Sequence, residues 1–134
     1  MKSMKSALIA YITVLVAFAV LDGLWLGVIA NEWYMSAFAP LLRDAFITWP
    51  WVTFYLLYGA AVVFLAVSPS ASMPGAFFRG AALGATAYGT YNLTAYSIIG
   101  QWPWQMTWID WLWGSTATAL LALSGYAVTR SQRD

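Results

Sequence analysis

The sequence contains neither cysteine nor histidine. Without cysteine, disulfides, thiol catalysis and cysteine-ligated clusters are excluded. Without histidine there is no imidazole haem ligand, no usual bacteriochlorophyll ligand and no histidine general base. Zinc and copper lose their main ligands, and no metal-ligand spacing is present. Charge is also scarce. Only 8% of residues are charged, against about 25% in soluble domains. The net charge is +1, with no basic run or Lys/Arg stripe, which argues against a nucleic-acid partner. There is no phosphate loop, no dinucleotide fingerprint and no G-x-S-x-G elbow. Ser97, Ser115 and Ser124 have no base at helical reach, so serine nucleophilic catalysis is unsupported.

What remains is 62% hydrophobic and 18% aromatic over 134 residues. So few charges cannot coat a soluble surface, and a bilayer is the natural solvent. At roughly 20 residues per crossing, the length allows one domain of about four helices. The fold class expected is therefore all-α: a polytopic membrane protein built as a four-transmembrane-helix bundle. Met1–Ser6 and the apolar run after it read as a retained first helix, since the run exceeds a signal-peptide core. Helices are expected at about 7–29, 51–67, 75–99 and 104–128. Pro50 suits a first helical turn. The breaks fall at Ser68–Pro74 and Gly100–Pro103. Residues 31–49 mix Glu32, Pro40, Arg43 and Asp44 with Trp33, Tyr34, Phe38 and Phe46. They read as an interfacial amphipathic segment or a loop.

Orientation follows the placement of Lys and Arg. Lys2, Lys5, Arg79, Arg130 and Arg133 fall on one side of such a bundle, and Arg43 on the other. Both termini are then cytoplasmic. Asp22 and Asp110 each lie about five residues from an outer helix end, roughly 8 Å deep at 1.5 Å per residue. Asn92 and Thr94 share that level, and Tyr55 and Tyr58 complete a ring of candidates. D-x-L-W occurs at Asp22–Trp25 and again at Asp110–Trp113. An inverted repeat would put the aspartates on opposite sides. Here they share a side, so the echo reads as coincidence or convergent packing.

Gly80, Gly84, Tyr88 and Asn92 recur at i+4, as do Asp110, Gly114 and Thr118. Small residues on a stripe let membrane helices approach closely. These stripes aim Asn92 and Asp110 inward. A carboxylate at membrane depth is costly unless paired or functional. Its candidate hydrogen-bond partners are Tyr55, Tyr58, Tyr91, Asn92, Thr94 and Thr107, with Arg43 the one cation placed to fold back. Of the nine tryptophans, Trp33, Trp49, Trp51, Trp102, Trp104 and Trp108 read as an interfacial belt. Trp25, Trp111 and Trp113 lie deeper, as walls of a pocket.

Four strings carry a likeness to a known family. They are L-D-G-L-W-L-G (Leu21–Gly27), F-Y-L-L-Y (Phe54–Tyr58), G-A-T-A-Y-G-T-Y-N-L-T (Gly84–Thr94) and W-x(4)-T-x-x-D-x-L-W-G (Trp102–Gly114). The chain resembles, over nearly its whole length, the predicted-membrane-protein family called domain of unknown function 2177. That resemblance picks out Asp22, Trp25, Tyr55, Tyr88, Tyr91, Thr94, Asp110, Trp113 and Gly114. The chain departs from the family pattern at Asn92, where Asp is favoured, and at Ala95, where Asn is favoured. A mechanism needing three carboxylates is therefore in doubt here. The resemblance implies a small protein of the bacterial inner membrane and brings no activity or cofactor with it. Likeness to tryptophan-rich sensory proteins and to lipoprotein signal peptidases is weaker, since their motifs are missing.

Three functions fit these features. The first is a site for an amphipathic or lipid-like ligand, or for protons, built from Asp22, Asp110, Asn92 and the tyrosines. Its catalytic form is an enzyme acting on lipids or isoprenoids, with one aspartate as general acid or base. The second is an accessory subunit of a larger membrane complex, pigment- or lipid-associated, with no chemistry of its own. The third is a proton-coupled transporter, which at four helices needs a homo-oligomer. Partners are membrane lipids in every case, with a membrane protein or a second copy in the last two.

Overall fold

The computed structural model describes residues 3–132. Lys2 and Arg133, used above for orientation, lie outside the described residues. The described residues are helical with no strand. α1 spans Met4–Leu24. Ser3 caps it, its Oγ accepting from the Ser6 N–H at 3.0 Å. The helix continues through Trp25–Ile29 as a π turn, where the Ala30 N–H donates to the Trp25 carbonyl at 2.7 Å. A short helix, α2, follows at Asn31–Ala37. Pro40 lies in a single 3-10 turn at Ala39–Leu41, and residues 42–48 are irregular until the next helix. The interfacial segment is therefore part helix and part loop, because proline cannot supply the N–H that would extend the helix.

α3 covers Trp49–Val62 with Pro50 in its first turn, and ends in a π turn at Val63–Val67. α4 runs Met73–Ile98, capped by Ser72, whose Oγ accepts from the Gly75 N–H at 3.1 Å. α5 runs Trp104–Thr129, entered through an extended Pro103. Two helical stretches, Met4–Ile29 and Trp49–Val67, are long and apolar enough to cross a membrane. α4 and α5 have 26 residues each, and their Gly, Thr, Tyr, Asn and Asp residues dilute their apolar character.

α1 shows how the chain sorts its residues. Ser6, Ala10, Val14, Phe18 and Asp22 recur at i+4 and are buried. Leu8, Ile12, Val16, Val20 and Leu24 recur at i+4 and are exposed, each at least half. The outside is as apolar as the core and the charged residue faces inward. That sorting is the reverse of a soluble helix and suits lipid contact.

α5 is the hub, packed most closely on α4 and then on α1. Glycines set the α4–α5 distance. A Cβ on Gly84 would sit 2.5 Å from the Gly114 carbonyl oxygen and 2.8 Å from the Ser115 Cα. One on Gly80 would sit 2.7 Å from the Thr118 carbonyl oxygen. The helix backbones touch there, as small-residue seams allow. One half of the bundle packs around Val14, Phe18, Val62, Val67, Leu121 and Tyr126. The other half, at the α1 C-terminal end, holds both buried carboxylates.

Candidate functional site

Asp22 ends the buried stripe of α1 and is 9% exposed, as is Asp110 on α5. Each carboxylate is bonded by two uncharged donors. Tyr55 Oη of α3 donates to Asp22 Oδ2 at 2.6 Å, and Trp113 Nε1 of α5 donates to Asp22 Oδ1 at 3.0 Å. Tyr34 Oη of α2 donates to Asp110 Oδ1 at 2.6 Å, and Asn92 Nδ2 of α4 donates to Asp110 Oδ2 at 2.7 Å. The carboxylates and their donors together come from all five α-helices, so the site forms only when the bundle closes.

The two D-x-L-W strings meet here. Trp25 and Trp113 stack with ring centroids 4.7 Å apart and planes 10° from parallel. Trp113 serves Asp22 directly. Trp25 Nε1 donates to Tyr34 Oη at 2.9 Å, and that hydroxyl in turn donates a hydrogen bond to Asp110. Each string's tryptophan thus supports the other string's aspartate. The echo read as coincidence or convergent packing is a crossed structural pair, which antiparallel α1 and α5 bring to one depth.

Both carboxylates line a cleft of about 480 Å³, with Leu26, Trp51, Phe54, Tyr55, Tyr88 and Trp113 prominent in its walls. Among the described residues, no lysine or arginine lines it. Arg43 is exposed in the α2–α3 connection and does not fold back. Tyr88 forms a wall, its ring resting on Gly114, where even a Cβ would overlap it. Tyr91 sits at the rim, 56% exposed and edge-on to Trp102.

Other candidates are placed elsewhere. Tyr58 lies beneath the cleft and hydrogen-bonds Thr118 at 2.8 Å, not a carboxylate. Thr107 is buried but bonds back to the Pro103 carbonyl of its own helix at 2.8 Å. Thr94 is exposed on the far side of α4 from Asn92. Trp111 turns away, its Nε1 donating to the Ala85 carbonyl at 2.9 Å beside Gly89. Two residues were placed in the interfacial set and belong to the site: Tyr34 and Trp51. The break after Ile29 was the available signal for Tyr34, because a reversal there returns α2 across the end of α1.

Tyr34 lies outside the long helices, and its phenol is held above the ordinary 10.0, first by burial and then by the Asp110 carboxylate. It stays a donor at any physiological pH. Asn92 spends both amide hydrogens, on the Tyr88 carbonyl at 3.0 Å and on Asp110. Its Oδ1 is buried with no hydrogen-bond partner among the described residues.

No metal-binding group of three or more His, Cys, Asp or Glu exists among the described residues. No curated protein and no solved structure matches the chain. The model of one family, described as "Predicted membrane protein (DUF2177)", matches residues 7–127. That match takes in nearly all of the four long helices and the whole carboxylate cleft, and the chain belongs to this family of predicted membrane proteins.

Proposed function

We propose that this protein is a four-helix bundle of the bacterial inner membrane that binds an amphipathic or lipid-like ligand in its outer-side cleft. The observation that carries the reading is the cleft itself. It combines two carboxylates held by neutral donors with apolar and aromatic walls, the composition of a site that fixes a polar head and covers an apolar body. α4 and α5 are each about 39 Å long at 1.5 Å per residue, enough to span a hydrocarbon core of about 30 Å. Four crossings put both termini on one side. Lys5, Arg79 and Arg130 make that side cytoplasmic by the positive-inside rule.

The test is native mass spectrometry of protein extracted in a neutral maltoside, for wild type and Asp22→Asn. A defined adduct on the wild type that weakens in the variant is expected. A wild type that carries only a random lipid population, indifferent to Asp22, would refute the reading. The exposed apolar stripe of α1 favours one second reading, an accessory subunit whose α1 faces a membrane-protein partner. Co-extraction of a stoichiometric larger subunit would select it.

A further inference from the structure

We propose that the ligand is an amphipathic organic cation, a single-chain or lipid-borne ammonium. Its head sits between Asp22 and Asp110, and its chain lies in the hollow beside Gly23 and Gly27. This deepens the cleft reading and rests on it.

The charge argument comes first. Two carboxylates line the cleft with no lysine or arginine in its walls, and their present partners are all neutral. An ionised carboxylate accepts at about four lone-pair sites, and the structure fills two on each. The unfilled capacity is acceptor capacity. An anionic head would be repelled, and a head without N–H or positive charge would leave these acceptors unmatched. An ammonium supplies the missing charge and donors together.

The walls agree. Trp51, Phe54, Tyr55, Tyr88, Tyr91 and Trp113 surround the carboxylates. Aromatic faces within about 6 Å attract cations, tryptophan best, and this is the common cage for quaternary ammonium.

A place for the chain is also present. A second hollow of about 500 Å³ runs along α1 and α3 and shares Asp22, Leu26, Trp51 and Tyr55 with the cleft. Its remaining lining is apolar: Leu15, Phe18, Ala19, Leu56 and the two glycines. A Cβ on Gly23 or Gly27 would meet nothing within 4 Å, so these glycines are open floor and not packing contacts. α3 meets α4 through its final turn, Val63–Val67, which leaves the outer ends apart around the cleft.

The experiment uses full-length protein in neutral maltoside micelles at pH 7, titrated separately with dodecylammonium, dodecyl phosphate and dodecanol. Binding is read by native mass spectrometry and tryptophan fluorescence. Saturable binding of one dodecylammonium is expected, weakened roughly tenfold or more by Asp22→Asn. Asp22→Asn is isosteric and keeps the Trp113 bond, with Tyr55 free to reverse its hydroxyl. Gly23→Leu projects a side chain into the hollow from a position where a Cβ meets nothing within 4 Å, and should weaken binding comparably while circular dichroism and melting are unchanged. Equal binding of the phosphate or the alcohol would overturn the cation inference and leave the amphipath reading standing. No binding of any of the three would overturn both. A parallel titration with phosphatidylethanolamine locates the source. Equal, Asp22-dependent binding assigns the ammonium to a lipid headgroup, and weaker binding assigns it to a free amine; both outcomes support the inference.

Discussion

Tyr34→Phe removes one oxygen and tests the relay that pins α2 to the bundle. The hydroxyl donates to Asp110 at 2.6 Å and accepts from Trp25 Nε1 at 2.9 Å. A hydrogen bond to a charged group contributes about 1.5–3 kcal/mol and a neutral one about 0.5–1.5. Trp25 and Tyr34 are half-buried, so water can refill the indole N–H and the loss falls toward the lower end, about 2–3 kcal/mol. The ring contacts of Tyr34 with Trp25 and Phe38 survive in phenylalanine. α2 has seven residues, too few to hold a helix unaided, so its amide protection reports docking. Hydrogen exchange in nanodiscs should show the α2 amides losing roughly 30- to 150-fold protection, with α4 and α5 unchanged. Unchanged α2 protection would mean that aromatic packing alone holds the segment. An equal loss in α5 would mean that the variant unfolds globally, and the relay argument would fail either way.

The same phenol gives an alkaline signature. Its folded-state pKa is raised, so its stabilisation is complete below the unfolded value near 10 and is lost as pH rises through the folded value. SDS-unfolding midpoints should therefore fall from pH 9 to pH 11, and fall less in Tyr34→Phe. Gly84→Ala should cost about 1–3 kcal/mol or more, because its Cβ meets backbone that cannot move aside. Gly23→Ala meets nothing and should be neutral or stabilising by up to about 1 kcal/mol; paired SDS titrations check both. The absence of native cysteine makes single-cysteine labelling clean. An impermeant maleimide should reach Asp44→Cys in intact cells and Ser131→Cys only after permeabilisation; the reverse pattern would invert the topology.

The sequence by itself determined the all-helical class and, through four motif strings, the family. The class follows from composition and i+4 spacing, which act within single helices. The stripe carrying Gly80, Gly84 and Asn92 announces its own inward face, and all three residues are buried. The proline and glycine breaks announce where helices stop. The likeness of the D-x-L-W strings was visible, but its meaning was not, since stacking of Trp25 on Trp113 depends on how α1 and α5 cross. Tyr34 looked interfacial because its helix is short and amphipathic, and only the chain reversal after Ile29 carries it to Asp110. Thr94 looked equivalent to Asn92, yet two residues turn a helix by about 200°, so one faces Asp110 and the other faces out. Tertiary structure alone decided which uncharged donors reach each carboxylate. Those bonds join residues far apart in the chain, and one of them, Asn92 to Asp110, crosses the glycine seam that fixes how closely α4 meets α5.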